Sequence, residues 1–240
     1  MPIPPTTSPD RCAVVGAGRL GTALVKALPR LAGPFPRGFE GSDFDVVVLA
    51  VPDSQIARAA AAVRIGPIVG HCSGATGLDV LAPHQCFSLH PLMTVTANGA
   101  PFAGAGAALA GSTTEALRVA SGLAQELGLV SVTIADTDRV AYHAAASIAA
   151  NFLVTLEDAA ATLMATAGAG REILVPLVRA AVENWAAHGA RALTGPIARG
   201  DHETVARQRQ VVAARTPDLL ELFDAMVSAT HAMASRNSDG

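Results

Sequence analysis

Two hydrophobic rhythms divide the chain. Over the first 135 residues, unbroken apolar runs alternate with stretches whose apolar positions recur every three to four residues. RCAVV (11–15) stops at GAGRLG, and TALVKALPRL has helical spacing that ends near Pro29. DFDVVVLAV (43–51) is a continuous apolar run closed by Pro52 and Asp53, as a strand buried on both faces requires. SQIARAAAAVR reads as a helix, while GPIVGHCSG, HQCFSLHP, AGAALAGS and LVSVTI each hold a strand. TTEALRVASGLAQELG reads as a capped helix stopped by Gly128. Strands alternating with helices predict an α/β fold with a doubly wound, mostly parallel sheet.

From Asp136 the strand rhythm stops. DTDRVAYHAAASIAANFLVTLEDAAATLMATAG fits one long buried helix by its period. Further helices are predicted at 171–187, 201–214 and 217–234, broken by Gly189, the TGPIARGD loop and Pro217. The reading is thus an α/β domain at 11–135 and an all-helical domain at 136–235. Residues 1–10 are a disordered tail in this reading, and 236–240 a frayed one.

Composition narrows the function. With 50% hydrophobic and 15% charged residues the chain is a compact soluble protein. A net charge of −3 gives no electrostatic footprint for nucleic acid. The N-terminus has no apolar signal region, and Val140–Leu156 carries too many polar groups to read as a membrane span. Cys12, Cys72 and Cys86 show no paired spacing, which suggests reduced thiols and a cytoplasmic protein. The only lysine is Lys26, so any lysine-dependent chemistry must use it.

GAGRLG places Gly16, Gly18 and Gly21 between a strand and a helix. The first permits the tight turn, the second lets a pyrophosphate approach and the third allows close helix packing. Ala17, Arg19 and Leu20 complete this expected cofactor loop. The second strand is cut to a few residues at most, and the loop after it carries Arg37. A guanidinium suits a 2′-phosphate, so NADP is expected over NAD, although Glu40 and Asp43 keep NAD open. At the ends of later strands, Val51, Pro52 and Asp53 should border the nicotinamide, with Asp53 as an N-cap. His71, Ser73 and His90 should face cofactor or substrate. Cys72, His84, Cys86 and His90 match no compact zinc spacing, so no metal is expected.

GAGRLG, LAVPD, HCSGATGLDVLAP, FSLHPLMT, YHAAASIAANFLVTL and LTGPIARGD, in this order, resemble a bacterial family of short Rossmann-like oxidoreductases with a helical C-terminal domain. The family looks like a branch of the 6-phosphogluconate dehydrogenase-like superfamily, beside pyrroline-5-carboxylate reductases, prephenate dehydrogenases and ketopantoate reductases. The resemblance covers about residues 11–235 and implies an NADP-dependent reductase of a small carboxylated keto or imine compound, with 2-dehydropantoate the leading substrate. It also implies a homodimer paired through the C-terminal helices. Classical ketopantoate reductases keep a lysine and an asparagine on the first helix of the second domain, and here that helix has no lysine.

His143, Ser147 and Asn151, each four residues after the last, are expected to form a polar stripe there. His143 suits proton donation, Asn151 can hold a substrate oxygen, and Ser147 sits between them. His90 is the rival donor, and Tyr142 reads as a packing anchor. Thr194 and Arg199 are candidates to hold a substrate carboxylate, beside an N-cap role for Asp201. The competing reading is a dinucleotide-binding sensor without catalysis, which the missing lysine and curtailed second strand favour.

Overall fold

The computed structural model describes residues 11–96 and 99–238. The tail expected at 1–10 lies outside them. Seven strands form one sheet: β1 (Cys12–Val15), β2 (Leu31–Phe35), β3 (Val46–Leu49), β4 (Ile68–His71), β5 (Cys86–Leu92), β6 (Gly106–Gly111) and β7 (Val130–Thr133). Their order is β2-β1-β3-β4-β5-β6-β7, and every pair is parallel except β5–β6. Because β2 and β3 lie on opposite sides of β1, the strand order reverses there and opens a crevice beyond the strand C-termini.

The apolar runs form strands because both sheet faces are covered. Cys12, Val14, Val46 and Val48 face one core with Leu24, Val119 and Leu123 from α1 (Arg19–Ala27) and α3 (Thr114–Glu126). Ala13, Val15, Val47 and Leu49 face the other with Ile56, Ala59 and Ala60 of α2 (Ile56–Ala62). Each fully buried Val or Leu contributes about 1.5–3 kcal/mol. Fit is tight as well: a Cβ on Gly70 would run into the ring of Phe87, its neighbour across β4 and β5. Helix α3 starts on Thr113, whose side chain accepts the Ala116 N–H, as its sequence suggests.

The compact units divide after Ser147, twelve residues beyond the boundary expected at 135/136. The shift has a cause in Arg139, at the start of α4 (Arg139–Ser147). Its side chain is 3% exposed and bonds Asp136 (2.9 Å), Ser88 Oγ (2.8 Å) and the Ser73 carbonyl (3.5 Å). Those contacts root α4 in the sheet unit.

The second unit holds a π-helical stretch (Ile148–Phe152), α5 (Leu153–Ala165), α6 (Leu174–His188), α7 (His202–Arg215) and α8 (Leu220–Ser238). Gly189, at φ 60°, ends α6, and Asp201 caps α7 through the Thr204 N–H. The frayed end expected at 236–240 is corrected in part, since α8 continues through Ser238. Among the described residues of this unit only Val212 is buried. The segment Asp136–Ala165 is long and apolar enough to cross a membrane by length and composition, and none of its most apolar window is buried. The one long buried helix expected here is instead divided into α4, a π-helical stretch and α5, with its most apolar window unburied.

Candidate functional site

The phosphate loop has the shape its glycines imply. Gly16 sits at φ 110°, where a Cβ would strike the Ala50 carbonyl, and a Cβ on Gly21 would strike the carbonyl of Gly16. The loop is thus locked between β1, β3 and α1. Gly18 differs: no atom lies within 4 Å of where its Cβ would stand, and no side chain caps α1 at this residue. Free N–H groups at the start of a nine-residue helix, with no acid in its first turn, favour an anion there. The open cradle fits a dinucleotide pyrophosphate. Ala17 and Arg19 are exposed beside it, and Leu20 is half-buried.

Arg37 lines a cavity of about 470 Å³ with Gly38, Gln55, Arg58, Ala59 and Ala62. Its Nη1 donates to Gln55 Oε1 at 3.3 Å. Arg58 is a second cation that the sequence did not single out, because it lies in an alanine-rich helix that reads as packing. Two guanidiniums and a side-chain amide around one hollow suit a phosphorylated ribose.

Beyond β4 and β5 the polar groups separate into an inner and an outer set. His71 is fully buried: Nδ1 accepts the Ser73 backbone N–H, and Nε2 donates to the Gly77 carbonyl, both at 3.2 Å. Burial, with Arg139 nearby, holds its pKa below the usual histidine value. Ser73 is buried too, and its hydroxyl donates to Asp53 Oδ2 at 2.7 Å while accepting the Thr76 N–H at 3.0 Å. The side chains of His71 and Ser73, expected to meet the cofactor, are instead spent on bracing the 71–77 turn. Asp53 is likewise no N-cap, since its carboxylate is taken by Ser73 and no side chain caps the Asp53–Gln55 turn. It remains exposed, as does Pro52, with Val51 half-buried.

The outer set is His90, Tyr142 and His143. His90 extends beyond the β4–β5 pairing, which ends at His71 and Ser88. Its Nδ1 lies 2.8 Å from the Tyr142 hydroxyl, and its ring centroid is 6.2 Å from that of His143. Gly74 makes this meeting possible, because a Cβ there would come within 2.7 Å of His90 Cε1 and 2.8 Å of His143 Cδ2. Burial first, and His143 second, push the His90 pKa down to about 4, so its ring is neutral at pH 7. Reading Tyr142 as a packing anchor is corrected here: its position next to His143 on the helix hid a hydroxyl aimed at His90 on β5.

Ser147 is half-buried at the end of α4. Asn151 follows it within the π-helical stretch Ile148–Phe152, which opens the other unit. Asn151, Thr194 and Arg199 belong to the helical unit and are exposed. Lys26 is exposed in the last turn of α1, about 12 Å along the helix from Gly18 at 1.5 Å per residue. The four side chains weighed as metal ligands do not converge. His84 bonds the Ala60 carbonyl, Cys86 the Leu78 carbonyl, and burial pushes the Cys72 thiol up to about 12.

The family model of DUF2520, a domain of unknown function, matches residues 105–230, and that of a Rossmann-like domain matches 40–94. No curated protein matches the chain. Among solved structures, protein TM1727 from Thermotoga maritima is similar at 23% identity and a TM-score of 0.80, over 95% of this chain and 99% of that one. The candidate NADP oxidoreductase BF3122 from Bacteroides fragilis is 18% identical at a TM-score of 0.78, over 95% and 100%. A reductive aminase from Aspergillus terreus, in complex with NADPH and ethyl levulinate, is 12% identical at a TM-score of 0.68, over 95% and 98%. These likenesses show the fold.

Proposed function

This chain belongs to the DUF2520 family, and on that footing we propose that it is a nicotinamide-dinucleotide-dependent reductase of a small carboxylated carbonyl or imine compound. The observation that carries the reading is the open cradle at Gly18, in the same unit as a cluster of proton-carrying groups beyond β5. Bound at that cradle, the cofactor supplies the hydride. The N–H groups opening α1 hold its pyrophosphate, and Arg37 with Arg58 supports NADP over NAD. The turn braced by His71, Ser73 and Asp53 carries Gly74, whose missing side chain leaves room for His90 and His143 to meet, and that cluster supports proton transfer to a reacting oxygen or nitrogen. The leading substrate is 2-dehydropantoate, on the family resemblance, with a cyclic imine as the alternative enzyme reading.

Titration calorimetry with NADPH and NADH, followed by cofactor oxidation with a panel of keto acids and cyclic imines, tests this. Tight NADPH binding with no oxidation by any compound would leave the sensor reading, which the placement of Lys26 away from the cradle favours. The same proposal includes a homodimer through the helical unit, supported by its uncovered apolar side chains, and a cytoplasmic setting, supported by three buried thiols outside any disulfide.

A further inference from the structure

The phenol of Tyr142 is still without a task. It belongs to the only tyrosine of the chain, is half-buried on α4, and meets the His90 ring edge-on at 5.7 Å between centroids and 89° between planes. Reduction needs an acid that holds its proton at pH 7 and survives losing it. His90 fails that requirement alone, because it carries no positive charge at pH 7 and a neutral imidazole N–H is a far weaker acid than a phenol. His90 can still serve the phenol. With its proton on Nδ1 it donates to Oη, which leaves the phenolic proton free to leave. With its proton on Nε2 it would instead accept that proton.

We propose that the Tyr142 hydroxyl is the proton donor of this reductase and that His90, protonated on Nδ1, is the positioning residue that holds and stabilises its phenolate. The proposal rests on the reductase reading above. As the substrate carbon gains the hydride, its π pair moves to the oxygen or nitrogen, which takes the phenolic proton as the Oη–H bond breaks. The phenolate keeps the Nδ1–H bond and regains a proton from water once product leaves. Gly74 serves the pair by leaving room for His90 under α4. The charged and titratable groups around it are His143 and Arg139 from α4, His71 from β4 and Asp53 from the turn after β3.

A single tyrosine makes the test direct, because phenolate absorbance in the full-length protein reports Tyr142 alone. In His90→Leu the phenol should titrate about one pH unit or more higher than in the unmodified chain. In His90→Asn, whose amide N–H can replace Nδ1–H, it should return near the original value. Nitrogen NMR should place the His90 proton on Nδ1. Tyr142→Phe should lower turnover about 100-fold or more while NADPH affinity stays within about twofold. Turnover in Tyr142→Phe above a third of the original overturns the proposal and leaves the reductase reading standing. A proton on Nε2, or a phenol indifferent to His90→Leu, removes the role of His90. Failure of every substrate in the unmodified protein removes the reductase reading and the donor role with it.

Discussion

The sheet unit and the helical unit draw on similar apolar residues and treat them in opposite ways. In the first, β1 and β3 are buried along their whole length and two cores lie back to back across the sheet. In the second, Val212 alone is buried among the described residues, while Phe152, Leu177 and Trp185 stand 57%, 66% and 64% exposed. A sheet covered on both faces satisfies its backbone and its apolar side chains within one chain. Helices satisfy their own backbone anywhere, so they can fold locally and leave side-chain burial to another copy. Stability is intrinsic to the first unit, and the proposed dimer makes it conditional on concentration in the second.

The strongest way to break that contrast is a deletion in the sheet core. Phe87 is fully buried, so Phe87→Ala should cost about 3–5 kcal/mol in urea unfolding, independent of protein concentration. A loss under 1 kcal/mol would mean that the core does not hold the unit together.

Acid should also strike the sheet unit first. His90 has a folded pKa of about 4, and His71 is lowered as well, both chiefly by burial. Between pH 6.5 and about 4 the unfolded chain binds protons that the folded chain refuses, so stability falls as pH drops through that window. For His90 the loss is on the order of 3 kcal/mol. Unfolding midpoints at pH 7.5, 6, 5 and 4 should trace it, and His90→Asn should flatten the curve. An unchanged curve in that variant would refute the assignment.

Trp185→Ala sharpens the contrast from the other side. It should weaken self-association by about 2 kcal/mol, roughly thirtyfold, in sedimentation equilibrium, as truncating a central aromatic does. Trp185 is the only tryptophan, so dilution of the unmodified protein should also shift its fluorescence to the red. A monomer at micromolar concentration with an unshifted spectrum would count against the dimer.

How much of this was written in the sequence follows the same division. The strand–helix alternation, the phosphate loop and the caps at Thr113 and Asp201 were legible because periodicity and capping are local. Arg139 was not: a charged residue opening a helix reads as solvated, and only the fold shows that Ser88 and Ser73 receive it. That buried guanidinium moves the boundary past Ser147 and explains why the helical rhythm alone put it at 135. Tyr142 and Gly74 escaped for a related reason, since their partner His90 is fifty-two residues from one and sixteen from the other. The π-helical stretch at Ile148–Phe152 also escaped, because the residue spacing fits an unbroken α-helix equally well.

The smallest effect concerns cofactor choice, which should depend on the sheet unit alone. Removing one of two guanidiniums from the Arg37–Arg58 hollow leaves the other to meet a 2′-phosphate, so Arg37→Ala should weaken NADPH binding only about tenfold. NADH, which lacks that phosphate, should bind as before, and self-association should not change. Gln55→Leu, which removes the amide that holds Arg37 by a 3.3 Å bond, should have a still weaker effect of about two- to threefold. Equal losses for NADPH and NADH would show that Arg37 supports the loop rather than the phosphate. A loss of NADPH affinity in Trp185→Ala as large as in Arg37→Ala would erase the contrast, because the cofactor site would then depend on the helical unit.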